Sequence, residues 1–440
     1  MDKSINKKFW KYVIPSMFTC LLSGIYCLVD GLFIGQAVGD AGLAGINIAW
    51  PIAALILAIG TGIGIGGSVV MSNYLGRNQE NNAKLARGNT IVLLIIAALA
   101  LTIIIYSFIG PILRMLGAAD EVYDAALIYC KIFVLGSIFQ LLGTGFTPLL
   151  RNMGHVMFAM VIMILGFVTN IVLDYILIIS LNMGMAGAAL ATVTGQALVV
   201  IASIFIMFNK KNRIDFKKYK LDLSIVTKIF RIGLSPLGLS LSPSIIIIFA
   251  NWQCIKYGGN IAVAAYAVLS YVMSTAQLLV QGVGDGSQPL ISYYKGAKQL
   301  DIIHYIRRKT INLAVIIGIV TGAIIIAMKT TIPQIFGASA EASVIIANSL
   351  PIFTVAFPLM AISRTSSAYF YGIQHANYAS ILVYLEPLAI TPLCMLILPL
   401  IFNLNGVWLA MPVTQGFVVL TALILYKHSD KILKTEIASH

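Results

Sequence analysis

Acidic side chains lie inside two long apolar stretches of this 440-residue chain. Asp30 lies in IYCLVDGLFIG, and Asp174 lies in NIVLDYILI, four residues after Asn170. Residues four apart occupy one face of a helix. Ionisable groups are costly inside a membrane and normally face a cavity or a partner. A buried carboxyl group could exchange a proton, or its oxygens could hold Na⁺. The alternative is a structural hydrogen bond between two helices.

The second half of the chain carries its acids at other positions. Asp285 lies in GVGDGSQPL, and Glu386 lies just before a proline at an expected kink, where it could bind substrate or pair with Arg364. Met157 and Tyr26 are further candidates for substrate binding. Thioethers suit promiscuous surfaces, and aromatic rings attract cations. Ordinary helix packing is the simpler interpretation of Met157.

The elements that must position these residues are membrane-spanning helices. Of all residues, 59% are hydrophobic and 10% are charged, whereas a soluble domain carries about 25% charged residues. Most of the surface must therefore face lipid, and a helix needs about 20 apolar residues to cross a bilayer. The sequence predicts an all-α integral membrane protein with twelve spans, at about 12–35, 43–72, 90–110, 124–150, 156–180, 186–208, 230–256, 262–292, 310–328, 343–371, 379–402 and 406–427.

The basic residues predict how the chain lies in the membrane. Of the 29 Lys and Arg, all but five fall in ends and loops on one side. The exceptions are Arg114, Lys256 and Lys329 on the other side, and Lys131 and Arg364 inside spans. This bias predicts a multi-pass protein of the cell membrane (the inner or plasma membrane) with both termini cytoplasmic. The net charge of +13 then fits contact with anionic membrane lipid, so we expect no nucleic acid as a partner.

The two halves of the chain repeat one another at an offset of 220 residues. LGAADEVYDAALIYCKIF aligns with FGASAEASVIIANSLPIF, and Gly62, Gly64 and Gly66 align with Gly282, Gly284 and Gly286. Each half has six spans, so both halves enter from the same side and form parallel repeats around a central cavity. The predicted parts are a six-helix bundle at 1–208, a basic cytoplasmic linker at 209–229, a second six-helix bundle at 230–428 and a cytoplasmic tail at 429–440.

Motifs for catalysis are not found. GTGIGIGG lies within an apolar helix with no strand before it, so close helix packing explains it better than dinucleotide binding. No Walker motif, catalytic constellation or Cys/His cluster occurs in the sequence. We therefore expect a protein that is not an enzyme, with no cofactor and no metal beyond a possible Na⁺ at Asp30 and Asp174.

The chain resembles the MATE (multidrug and toxic compound extrusion) transporters. The resemblance rests on the order and spacing of VDGLFIG, LAGINIAWPI, GIGGSVVMSNYLG, NIVLDYILI, GMAGAALAT and GVGDGSQPLISYYKGA. The acid in the first span and the Asn-x-x-x-Asp pair in the fifth resemble the DinF-like and MepA-like branch. This resemblance implies an ion-coupling pocket in the first half, formed by Asp30, Asn170, Asp174 and Thr192. It also implies that Asp285 attracts a cationic substrate.

The function that follows is secondary active multidrug efflux. The expected substrates are small organic compounds, chiefly cations, exported in exchange for H⁺ or Na⁺ by a monomer. The alternative is a flippase of lipid-linked saccharides or of another amphiphile in the same superfamily. A flippase of pyrophosphate-linked lipids suits a cationic cavity, whereas the intramembrane charges here are four acids and two bases.

Overall fold

The computed structural model of the chain describes residues 3–209 and 221–438. Within these ranges the secondary structure is helical apart from turns and short connections, and no strand occurs. This confirms the all-α prediction. Residues 210–220, which make up half of the predicted linker, lie outside the described ranges, and the helix that follows already begins at Leu223.

Seven helices precede the linker. They are α1 (Lys3–Val38), α2 (Asp40–Gly76), α3 (Glu80–Met115), α4 (Asp120–Leu135), α5 (Ser137–Asn152), α6 (Val156–Asp174), which continues into a π-helical turn (Tyr175–Ser180), and α7 (Gly184–Met207). The bent pair α4–α5 forms an angle of 58° and fills the place of one predicted span.

The second half follows the same order. It comprises α8 (Leu223–Gly296), broken at Gly259, then α9 (Leu300–Ala327), α10 (Thr331–Ile335), α11 (Ala340–Thr354), α12 (Ala356–Gly372), α13 (Ala376–Leu385), a π-helical turn (Glu386–Ile390), α14 (Thr391–Phe402) and α15 (Leu404–Ala438). The pair α11–α12 is bent by 47°.

The number of spans agrees with the sequence. Nine helices of the described residues are long and apolar enough to cross a membrane, and the two bent pairs raise the number to eleven. Helix α1, with 36 residues around the first predicted span, supplies the twelfth.

Backbone geometry repeats at the predicted offset of 220 residues. A residue with positive φ, which ends a helix and favours glycine or asparagine, recurs at equivalent places in the two halves. The pairs are Gly39 and Gly259, Asn78 and Lys298, Gly117 and Gly337, and Gly154 and Gln374. The internal repeat is therefore confirmed in the backbone.

The chain folds as two compact units. One, the N-unit, is Phe18–Ser240, and the other, the C-unit, is Met1–Met17 with Leu241–His440. The division by contacts runs through α1 and α8, whereas the bundles predicted at 1–208 and 230–428 follow the order of the spans. Those bundle boundaries stay a prediction.

Glycines explain how α8 begins in the N-unit. A Cβ on Gly62 would lie 2.9 Å from the carbonyl oxygen of Gly233, and one on Gly66 would lie 2.3 Å from that of Ile229. Only glycine lets α2 and the start of α8 approach so closely. The interpretation of GTGIGIGG as a packing motif is confirmed.

The C-unit repeats this arrangement. A Cβ on Gly282 or Gly286, the repeat partners of Gly62 and Gly66, would lie 2.6 Å from the Cα of Met17 or Val13, respectively. The start of α1 therefore packs on the second part of α8 through the same small-residue contact.

Candidate functional site

Close packing of α6 on α7 positions the polar residues of the N-unit. A Cβ on Gly195 would lie 2.8 Å from the carbonyl oxygen of Gly166, so the two helices touch at their backbones. One turn further along α6, Asn170 donates a hydrogen bond from Nδ2 to Oγ1 of Thr192 at 3.4 Å. Both side chains are buried.

The two acids predicted to couple the ion lie near each other in the N-unit. Asp30 of α1 and Asp174 of α6 are 144 positions apart in sequence, yet their carboxyl groups lie within electrostatic range of each other. Asp174 is fully buried and Asp30 is partly buried. Among the described residues neither acid forms an ion pair with a basic side chain.

Tyr129 of α4 completes this group, and the sequence analysis missed it. Its buried hydroxyl lies near Thr192 and within electrostatic range of Asp30 and Asp174. The ring stacks on Phe133 at a centroid distance of 5.6 Å. A tyrosine in the apolar segment ALIYCKIF gives no hint of these partners. We call Asp30, Tyr129, Asn170, Asp174 and Thr192 the carboxyl cluster.

The carboxyl cluster holds more oxygens than donors. Within the described residues, four buried oxygens of the cluster have no hydrogen-bond partner: Oδ1 of Asp30, Oδ1 of Asn170, and Oδ1 and Oδ2 of Asp174. Buried polar atoms are normally satisfied, because an unsatisfied one is destabilising by about 1–3 kcal/mol. Two adjacent carboxylates also repel each other. A bound proton or a cation relieves both problems, and carboxylate and carbonyl oxygens suit hard cations.

The helix that carries Asp174 changes its geometry directly after that residue. The π-helical turn Tyr175–Ser180 begins at the next position. Such turns are rare and frequently lie at functional sites, because the wider turn breaks the regular hydrogen bonding of the helix. Glu386 occupies the first position of the other π-helical turn.

In the C-unit, Glu386 is paired with Arg364. The sequence had left two alternatives open for Glu386, substrate binding or this pairing. Nη2 of Arg364 lies 3.3 Å from Oε1 of Glu386, and both side chains are buried. Gln415 of α15 donates to the same oxygen at 2.7 Å, and Ser363 donates to Oε1 of Gln415 at 2.9 Å. Gln415 and Ser363 were missed by the sequence analysis, although Gln415 is a polar residue inside an apolar span.

The remaining predicted residues are described one by one. Tyr26 shares a face of α1 with Asp30, four residues before it, and stacks on Phe167 at 5.2 Å. Met157 is 49% exposed on α6. Asp285 is partly buried on α8 in the C-unit. The structure thus brings the four predicted ion-coupling residues together, whereas the predicted substrate-binding residues are divided between the N-unit (Tyr26 and Met157) and the C-unit (Asp285 and Glu386).

These observations define an all-helical, multi-pass membrane protein with two repeated halves and buried polar clusters in both. The model of the MatE family matches residues 15–176 and 236–402. The chain belongs to this family of membrane transporters, which confirms the resemblance found in the sequence.

Characterised relatives match over nearly the whole chain. The multidrug export protein MepA of Staphylococcus aureus (strain N315) is 26% identical over 97% of this chain and 95% of that protein. MepA of Staphylococcus haemolyticus (strain JCSC1435) is 25% identical over 92% and 90%, respectively.

Solved structures show the same fold. The chain superposes with a TM-score of 0.93, at 23% identity and over 98% of its length and 97% of the other chain, on an outward-facing multidrug resistance MATE family transporter of the MOP superfamily. A MOP superfamily transporter from Pyrococcus furiosus, whose binding pocket of reverse polarity suggests a different function, also matches with a TM-score of 0.93, at 22% identity and over 98% and 97% of the two chains.

Proposed function

We propose that this protein is a secondary active exporter of organic cations that uses H⁺ or Na⁺ as the coupling ion at the carboxyl cluster. The carboxyl cluster carries this proposal, because it holds two neighbouring acids, Asp174 buried and Asp30 partly buried, and several oxygens without partners. The MepA relatives are multidrug export proteins, which supports efflux of small molecules.

The physical basis of coupling is the repulsion between Asp30 and Asp174. A proton on one carboxyl group, or a Na⁺ between both, removes this repulsion and favours the arrangement in which the acids are adjacent. An ion or drug can shift a conformational equilibrium only by its difference in affinity for the two states. Exchange follows if the coupling ion and the drug each bind better to a different state.

The chemistry around the acids supports cations as substrates. The cluster holds two acids with no described basic partner, and the stacked rings of Tyr26 and Phe167 lie one helical turn from it. Aromatic faces attract organic cations, more strongly when water is excluded. The placement of Lys and Arg supports an orientation with both termini in the cytoplasm, which makes outward transport an export from the cell.

The test is transport in proteoliposomes that contain the purified protein. A fluorescent organic cation is offered while a proton gradient or a Na⁺ gradient is imposed separately. We expect transport under one gradient and its loss in Asp30→Asn and in Asp174→Asn. Asp301→Asn, at an exposed acid at the start of α9, is the matched control and should transport like the wild type.

Two outcomes would contradict the proposal. If the folded wild type transports no cation under either gradient, the lipid flippase becomes the better explanation, and transbilayer movement of a fluorescent lipid would then be measured. If both variants retain gradient-driven transport, the carboxyl cluster does not couple the ion.

A further inference from the structure

Charged side chains gather where two spans of the C-unit leave the predicted membrane region. The segments 295–309 and 427–436 carry eight Lys and Arg against three Asp and Glu. Two of these acids are already held in ion pairs, which are Asp430–Arg307 and Glu436–Lys295. The positive charge at this end of the unit is therefore in excess.

Three consecutive cations at the start of α9 differ in what they contact. Arg307 donates two hydrogen bonds to Asp430, at 2.7 and 3.1 Å. The ammonium of Lys309 lies over the ring of Phe9, 4.6 Å from its centroid. Arg308, between them, is exposed and forms no ion pair with a described acid. Its guanidinium is the one of the three that points to solvent.

The last turns of α15 present lysines on one face. Lys427, Lys431 and Lys434 are exposed and are spaced by four and three residues, so they form a stripe along one side of the helix. The other side of the helix, with Ser429 and Leu433, is buried. The buried side fixes the direction in which the lysines point.

His304 shows that the cations of the two helices meet. Its imidazole lies within electrostatic range of Arg308 on the same helix and of Lys434 on α15. Asp430 lies in this range too, but it is already paired. Asp301, at the start of α9, is exposed and adds a single negative charge. We call Arg308, Lys431 and Lys434 the basic cluster.

The basic cluster lies at the level of lipid headgroups. Arg308 precedes the apolar stretch of α9 by two residues, and the apolar stretch of α15 ends at Tyr426. At a rise of 1.5 Å per residue, Lys434 lies about 12 Å beyond Tyr426 along the helix. The headgroup region is roughly 5–8 Å deep on each side of the hydrocarbon core, and a lysine side chain can extend along its helix to reach it.

The exposed face of each helix continues into its span as an apolar face. On α9, Ile316 follows Arg308 on the same face and is 56% exposed. On α15, Leu423 and Leu420 precede Lys427 on the same face and are also exposed. A phospholipid offers a phosphate for the cations and acyl chains for the apolar faces, whereas a soluble phosphate offers only the first.

We propose that the basic cluster binds the phosphate of an anionic phospholipid. The guanidinium of Arg308 donates to the phosphate with its planar fork, and the two ammonium groups of α15 act as point charges beside it. Cations near the membrane surface each strengthen the binding of anionic lipid. This site lies in the C-unit and needs no ion gradient, so it goes beyond the proposed export and does not depend on it.

Native mass spectrometry of the purified protein in detergent measures the binding. Dioleoyl phosphatidylglycerol and dioleoyl phosphatidylcholine have the same chains, but only the first carries a net negative charge. In separate titrations we expect the tightest phosphatidylglycerol to bind at least about tenfold more strongly than phosphatidylcholine. Equal binding of the two lipids would overturn the proposal.

Two double variants with the same loss of charge separate the basic cluster from the general surface charge. Arg308→Gln with Lys434→Gln should weaken phosphatidylglycerol binding about tenfold or more. Lys8→Gln with Lys298→Gln removes two exposed cations of the same unit outside the cluster and should bind like the wild type. Equal weakening in both double variants would assign the binding to diffuse charge and overturn the proposal.

Inorganic phosphate tests the class of ligand. In large excess and at constant ionic strength it should leave phosphatidylglycerol bound, because it has no acyl chains. Displacement of the lipid would assign the basic cluster to a soluble phosphate and overturn the proposal. Asp30→Asn should keep wild-type lipid binding while it loses transport, so failure of this proposal and failure of the proposed export are distinguishable.

Discussion

Glu386→Ala should strongly destabilise the C-unit. The change removes the acceptor of two buried hydrogen bonds, one from Arg364 and one from Gln415. Arg364, whose Nε already lacks a partner, is left as a buried cation with no described acid beside it. Loss of one partner of a buried ion pair is destabilising by about 3–5 kcal/mol, chiefly because the other charge stays uncompensated.

This free energy converts into a shift of the melting temperature. The C-unit has about 220 residues, and unfolding entropy is ~2.1 cal/mol/K per residue, so the unit loses about 0.46 kcal/mol of stability per kelvin near its Tm. A cost of about 3–5 kcal/mol therefore lowers the Tm of this unit by about 7–11 °C.

Thermal unfolding of purified protein in detergent or nanodiscs measures the shift. Glu341→Ala, at an exposed acid of the same unit, is the control and should change the Tm by no more than about 2 °C. In the double variant Arg364→Met with Glu386→Gln, both charges are gone, so most of the lost stability should return. A single variant within about 2 °C of the wild type, or a double variant as unstable as the single one, would refute the reasoning.

Two further predictions concern packing and pH. Gly66→Ala places a methyl group 2.3 Å from a carbonyl oxygen and should lower the free energy of unfolding by about 1–3 kcal/mol in thermal unfolding. Gly416→Ala has open space around it and should leave stability unchanged. Equal effects of the two substitutions would contradict the packing argument. Burial and the nearby Lys295 ammonium lower the pKa of His375, in the turn before α13, below its ordinary value of 6.5, although Glu436 offsets part of this. The folded state thus disfavours the imidazolium, so its contribution to stability is complete above pH 6.5 and falls as the pH drops below it. His375→Gln should therefore show a smaller difference in Tm between about pH 7.5 and 5.5 than the wild type. An identical difference would count against a buried neutral imidazole.

The repeat gives the two halves the same frame for different chemistry. Positive-φ positions and the glycine contacts of α2 and α8 recur at the same offset. The buried charges do not, since the N-unit pairs Asp30 with Asp174 and the C-unit pairs Arg364 with Glu386. Backbone packing therefore stays equivalent in the two halves while the polar side chains differ.

The sequence by itself determined the spans, the repeat and the packing glycines. These features are local. A run of about 20 apolar residues must be a helix in lipid, because lipid offers no hydrogen-bond partners and a helix satisfies its own backbone N–H and C=O groups. The isolated acids Asp30 and Asp174 also stood out, because an ionisable group in an apolar run is rare and costly.

Only the tertiary structure decided which side chains meet. A helix turns by about 100° per residue, so a bend or a π-helical turn redirects the side chains that follow it. The turn at Tyr175–Ser180 has no clear signal in the sequence, whereas the proline after Glu386 predicts a kink at Glu386–Ile390 but not its π-helical geometry. The proximity of Asp30 to Asp174, the place of Tyr129 near them and the hydrogen bond from Gln415 to Glu386 involve residues from separate helices. Such contacts depend on helix rotation and bending, which hydropathy and spacing along the chain do not determine.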